Sequence, residues 1–195
     1  LSVILLATSC SLEKMPSGAV NSNDVQSIDD VAKLRNYLYI RLRSMYSGSY
    51  IYGGELMSDL FHASAGYGNR GGVYHKWQWT ATESLAESLW GHAYFTTASC
   101  NFLLEQMDAI SEKLELSAEE KAQMDVYYGE AYFMKAASMF EIVKMFAEPY
   151  TKNSNAPGVM LIEKYNPTSD ASTYPGRSTV KETYEYIDGY LSKRR

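Results

Sequence analysis

The 195-residue chain lacks any apolar run longer than Val3 to Ala7, far short of the ~20 residues a membrane-crossing helix needs. It has no surplus of positive charge. Eighteen Lys and Arg stand against 23 Asp and Glu, a net −5, which argues against nucleic acid because phosphate binding needs clustered cations that release counterions. Cysteine is scarce. Only Cys10 and Cys100 occur, and Cys100 falls mid-helix among small and apolar neighbours, so no disulfide between them is expected. Catalytic patterns are also missing: there is no Gly-x-Ser-x-Gly elbow and no Gly-x4-Gly-Lys phosphate loop. His62, His75 and His92 are 13 and 17 residues apart, with no His-x3-His and no nearby Cys, so neither a metal nor a cofactor is expected. Glu55 and Asp59, four apart, have the spacing of paired carboxylates on one helical face; a solvated face explains them more simply. The chain is read as a non-enzyme.

Aromatic side chains are plentiful, and their balance is unusual. Tyr (17) outnumbers Phe (6) nearly three to one, with 3 Trp, so much of the aromatic surface carries a polar tip suited to half-wet interfaces and sugar-binding faces. At 46% hydrophobic and 21% charged, the composition is that of an ordinary globular domain.

The first residues run Leu1-Ser-Val-Ile-Leu-Leu-Ala-Thr-Ser-Cys10, an apolar stretch, then small residues, then a Cys. This reads as the remnant of a secretory signal over residues 1–9, with Leu6-Ala7-Thr8-Ser9-Cys10 as a lipobox whose Cys10 is acylated. An N-terminal strand or helix that happens to hold a Cys is the plainer alternative. Residues 10–26, small and polar, read as a tether, and residues 27–195 as the helical domain, incomplete at its C-terminus.

Within that domain Ser27 is a helix cap, and Val31, Leu34, Leu38, Leu42 and Met45 follow at helical spacing. The pattern dissolves over residues 47–54, resumes for one or two turns over residues 55–62, and gives way to a glycine-rich loop over residues 63–74. Thr80-Ala-Thr-Glu83 has capping-box spacing and opens a long helix to about Ile110, with Ala86, Trp90, Ala93 or Tyr94, Thr97, Asn101 and Leu104 along one face. Ser117-Ala-Glu-Glu120 starts a second, to about Ala147, with Met124, Tyr127 or Tyr128, Ala131, Met134, Ser138, Ile142 and Met145 on its stripe. Small residues place the close approach of these two helices at Gly91, Ala93 and Ala98 against Gly129, Ala131, Ala136 and Ala137. Gly158 to Ile162 is a short apolar run. A last helix is capped by Thr179 and turns Val180, Tyr184, Ile187 and Leu191 inward. The expected fold is all-α, a tetratricopeptide-like helical repeat (α-solenoid-like) with long loops and degenerate repeats.

The order of these pieces resembles the N-terminal region of the SusD-like (RagB/SusD) family. The matching segments are Cys10-Ser-Leu-Glu-Lys-Met-Pro16, Ser58-Asp59, Trp90-x3-Tyr94 with Asn101-x2-Leu104, Gly129-Glu-Ala-Tyr-Phe-Met-Lys-Ala136, Gly158-Val-Met-Leu161, and Arg177-Ser-Thr-Val180 with Tyr184-x2-Ile187. Met160 replaces the usual Pro and Thr97 a branched apolar residue. The resemblance implies a surface-exposed outer-membrane lipoprotein, sitting on a TonB-dependent SusC-like channel, that binds oligosaccharide, or peptide in some relatives, and delivers it to that channel. Two other readings stay open: a helical-repeat lipoprotein adaptor that binds protein alone, and a surface glycosidase.

For a glycan receptor the chemistry needs flat aromatics that stack on sugar C–H faces, flanked by amide, guanidinium and hydroxyl groups. The loop leading into the first long helix supplies that mixture, and Tyr67, Asn69, Arg70, Tyr74 and Trp77 are the candidate ligand-binding residues, with His75 and Trp79 beside them. In extended backbone Trp77 and Trp79 would share a face; the alternative makes one of them, Trp79 first, a core plug. Trp90 and Tyr94 read as core, and Asn101 as a polar clasp between helices.

Overall fold

The computed structural model describes residues 25–80 and 82–193. Cys10, the signal remnant and the tether up to residue 24 lie outside the described residues. The architecture is all-α, as expected: α1 (Ile28–Met45), α2 (Ser49–Met57), α3 (Gly72–His75), α4 (Ser84–Lys113), α5 (Ala118–Phe146) and α6 (Val180–Leu191). No strand occurs among the described residues; one isolated antiparallel bridge joins Pro157 to Thr179.

Local signals set most boundaries. Ser27 caps α1, its hydroxyl accepting the Asp30 N–H at 3.2 Å. Both Ser117 and Thr179 form complete capping boxes, with Glu120 and Glu182 reaching back to the cap N–H, so two otherwise orphaned donors are satisfied at each start. Thr80 does not do the same. Its hydroxyl pairs with that of Thr82, Glu83 takes the cap position, and α4 begins at Ser84. The second difference is α2, which covers most of the stretch expected to be irregular. Gly53 earns its place there by contact, since a Cβ on it would overlap the Leu85 side chain of α4.

α4 and α5 form an antiparallel hairpin with α1 laid along both and α6 against α5. α1 runs parallel to α5 in strict register: Arg35 meets Glu130 and Tyr46 meets Glu141, each pair 95 residues apart. One core cluster joins Val31, Leu38, Met107, Ile110, Met124 and Tyr128; another joins Met45, Ala93, Met139, Ile142, Val159 and Ile187. Val25, placed by sequence at the end of the tether, is buried in the first of these. The chain therefore joins the body beside the α4–α5 turn, while α2 and α3 lie at the opposite end. A helix of 30 residues separates the two ends by roughly 45 Å.

The α1 stripe is as expected, and the α5 stripe nearly so. On α4 Ala93, Thr97 and Asn101 are buried as expected, while the rest of the buried face is turned by about one residue, to Leu85, Leu89, Thr96, Cys100, Leu103 and Met107. Ala93, Ala131 and Ala136 do lie at the buried seam, whereas Gly91 and Gly129 face open space. α6 buries Tyr190 and leaves Leu191 exposed.

The run Gly158–Ile162 is an extended strap between α4 and α6. Tyr94 holds it twice, its hydroxyl accepting from the Met160 N–H at 2.9 Å and donating to the Met160 carbonyl at 3.1 Å. Asn101 and Tyr186 both donate to the Ile162 carbonyl. Asn101 is thus a clasp from helix to strap, not from helix to helix. Arg177 donates to the carbonyls of Gly158, Phe146 and Pro157, tying the strap to the end of α5. Gly158 is required because a Cβ would overlap the Thr179 carbonyl and the Thr183 hydroxyl.

Candidate functional site

Between α2 and α4 the chain makes a glycine-rich excursion, a 3-10 turn at Ala65–Tyr67 and the single turn of α3, where sequence alone suggests a plain loop. Its backbone is fixed from below. The Tyr52 hydroxyl donates to the Arg70 carbonyl at 2.9 Å, Gln78 N–H to the Val73 carbonyl, and Gly71 packs so tightly that a Cβ would meet Leu56 and Tyr52. Gly71, at φ 75, occupies left-handed backbone.

On this frame the candidate side chains point outward. Tyr67 is 89% exposed, Trp77 66% and Trp79 38%. Neither tryptophan plugs the core. Nor is the segment extended at Trp77, which sits at φ 54; left-handed backbone costs a residue with a Cβ about 1–2 kcal/mol, so the shared-face geometry does not form. Asn69, also left-handed at φ 53, tolerates that conformation as asparagine commonly does, and its amide folds over Gly72. Arg70 is exposed. Tyr74 is half-buried and donates to Glu83 at 3.4 Å; burial and then the neighbouring carboxylate push its hydroxyl pKa up. His75 meets His62 edge-to-face with ring centroids 4.4 Å apart. The structure therefore brings an exposed Trp/Tyr fringe together with an amide and a guanidinium on one short, well-braced excursion.

The paired-carboxylate arrangement does not form beside it. Asp59 lies beyond the end of α2 at φ 63, so Glu55 and Asp59 do not share a helical face. Among the described residues no three His, Cys, Asp or Glu side chains gather to hold a metal ion. Cys100 is buried, and burial pushes its thiol up to about 12, which keeps it an unreactive core residue. No helix of the described residues is long and apolar enough to cross a membrane.

Trp90 and Tyr94 are core residues, Trp90 lying between Tyr94 (4.8 Å) and Phe146 (5.1 Å). One polar cluster has no counterpart in the sequence reading. Lys135 of α5 has no exposed side-chain surface, donates to the Tyr190 hydroxyl at 2.7 Å, and lies 3.5 Å from Glu163, which accepts from the same hydroxyl at 2.5 Å. Its ammonium stands 4.1 Å from the Tyr190 ring centroid. Burial pulls its pKa down to about 8, against the pull of Glu163. The cluster binds α5, α6 and the strap together. A lysine inside a run of helical residues gives no pattern by which sequence could mark it as interior.

Comparison with known proteins identifies the family and the fold. The SusD-like family profile, described as starch-binding associating with outer membrane, matches residues 12–194. The comparison with curated proteins finds no match. Among solved structures, a candidate sugar-binding protein of Bacteroides vulgatus matches with a TM-score of 0.66 and 22% identity over 85% of this chain and 36% of its own. A SusD superfamily protein of Bacteroides thetaiotaomicron matches with a TM-score of 0.61 and 23% identity over the same shares. One from Bacteroides fragilis is 25% identical over 62% of this chain and 27% of its own, with a TM-score of 0.54. The chain thus spans about a third of the length of the structures it matches. With a profile match over nearly its whole length and that helical fold, the chain belongs to the SusD-like family.

Proposed function

We propose that the chain is part of a surface-exposed outer-membrane lipoprotein that binds oligosaccharide and delivers it to a TonB-dependent SusC-like channel, without catalysis. Cys10 is its acylated residue, and Tyr67, Asn69, Arg70, Tyr74 and Trp77 contribute to the ligand site, with the remaining length of the protein supplying more. The carrying observation is Trp77: a large ring, mostly exposed, held on left-handed backbone. Folding gains little from an indole in that position, whereas a ligand gains a preorganised stacking platform. The starch-binding description of the family supports the ligand class, and the family's association with the outer membrane supports the location. Two or three acyl chains on one cysteine would anchor the protein stably, each buried methylene adding about 0.8 kcal/mol.

Titration of the full-length protein with maltoheptaose and with other defined oligosaccharides, followed by Trp fluorescence, tests this reading. Saturable quenching is expected for at least one glycan. Absence of quenching by all of them, with the channel complex still forming, would favour a helical adaptor that binds protein alone.

A further inference from the structure

The charge around the fringe differs from that of the rest of the chain. From Leu60 to Thr82 there is no Asp or Glu, although the protein carries 23 of them and is net negative. Within that stretch stand Arg70 and Lys76, one at each end of α3, both exposed. The single turn of α3, with left-handed Gly71 before it, separates them. Their main chains are fixed: the Arg70 carbonyl accepts from Tyr52, and the Lys76 N–H donates to the Gly72 carbonyl.

Elsewhere some cations are matched by carboxylates, and others, Arg43, Lys113 and Lys164 among them, form no ion pair among the described residues. Lys33, Lys144, Lys152 and Lys181 each pair with a carboxylate within one helical turn, and Arg35 pairs with Glu130. Neither Arg70 nor Lys76 forms an ion pair among the described residues. The nearest carboxylates along the chain are turned to other work or set outside the stretch: Glu83 accepts from Tyr74, and Asp59 lies beyond α2. A guanidinium presents a planar fork that matches a carboxylate or sulfate, an ammonium a point charge. Removing like-charged carboxylates from the surroundings of an anionic ligand is the repulsive half of the same selectivity.

We infer that the fringe selects an acidic oligosaccharide, one bearing carboxylate or sulfate groups, with Arg70 and Lys76 holding the charges while Tyr67 and Trp77 stack on the rings. This rests on the glycan-receptor reading above and narrows its ligand class. The test compares tetragalacturonate, its neutral methyl ester and maltoheptaose on the full-length protein by calorimetry. Methyl esterification is expected to weaken binding about tenfold or more, the value of one charge-assisted hydrogen bond, and raised salt is expected to weaken only the acid. In the R70Q/K76Q double variant the ratio between acid and ester is expected to fall toward one. Equal affinity for acid and ester, or tighter binding of maltoheptaose, overturns this inference and leaves the receptor reading standing. Failure of every glycan to bind overturns both. The ligand-side comparison decides the matter even where the double variant does not fold.

Discussion

Arg35 on α1 and Glu130 on α5 face each other as a two-pronged pair, Arg35 Nη2 lying 2.5 Å from Glu130 Oε1 and Nε on the other oxygen. Glu130 is the central residue of the Gly-Glu-Ala segment by which the sequence resembles its family. Its work is architectural: it fixes α1 parallel to α5, and Tyr46 to Glu141 repeats the register three turns on.

Loss of that pair should be measurable. Arg35 holds the Glu130 carboxyl below its ordinary value. Because the folded pKa is depressed, the stability it contributes is present above the unfolded value of about 4.3 and is lost as pH falls through the folded one. Glu130→Gln is expected to cost about 1–3 kcal/mol at neutral pH and to flatten the acid limb of the stability curve. Urea unfolding between pH 3 and 7 checks it; a variant as stable as the parent at pH 7 contradicts it.

Trp77→Gly separates folding from binding. Glycine takes left-handed backbone freely, so relief of strain should raise stability by about 1 kcal/mol, while oligosaccharide binding falls sharply. Thermal unfolding read beside a glycan titration gives both numbers. A destabilised variant would mean the indole packs into the fold.

Gly158→Ala should destabilise by about 1–3 kcal/mol, the range typical of overpacking, since the methyl would strike the Thr179 carbonyl and Thr183. Met160→Pro, by contrast, removes an N–H that Tyr94 accepts and should also cost stability. Thermal melting of both variants tests the strap, and unchanged melting temperatures would show that it contributes little.

Lys135 gives a pH dependence of the same sign as Glu130 but in an alkaline window. Its folded pKa, about 8, lies below the ordinary 10.5. The unfolded chain therefore binds more protons between those values, and stability rises with pH across that window. Lys135→Met is expected to abolish the rise between pH 8 and 10, and to change neutral stability by only about 1 kcal/mol, as replacements of buried charge often do. Chemical denaturation across that range checks it; an unaltered slope in the variant contradicts it.

What the sequence made legible follows the reach of each signal. The α1 stripe and the caps at Ser27, Ser117 and Thr179 depend on residues three or four apart, and the structure has them. Thr80 failed as a cap because Glu83 turns to Tyr74 and Thr80 to Thr82, a choice of partners that the spacing of the box does not encode. α2 was hidden by two glycines whose reason, at Gly53, is the Leu85 side chain 32 positions on. The outward aromatic fringe was legible in composition; its left-handed turn at Trp77 was not, because no local rule puts tryptophan there. Lys135 was illegible for the same reason that it is informative: its partners, Tyr190 and Glu163, are supplied by the fold.

The central claim is that rings at Tyr67 and Trp77 touch sugar. Saturation-transfer NMR on the full-length protein, irradiating indole and phenol protons, tests it most directly. Transfer to the ligand's ring C–H protons, lost in Trp77→Gly, is the expected result; a glycan that binds with no transfer from these rings, or with transfer unchanged in that variant, would contradict it.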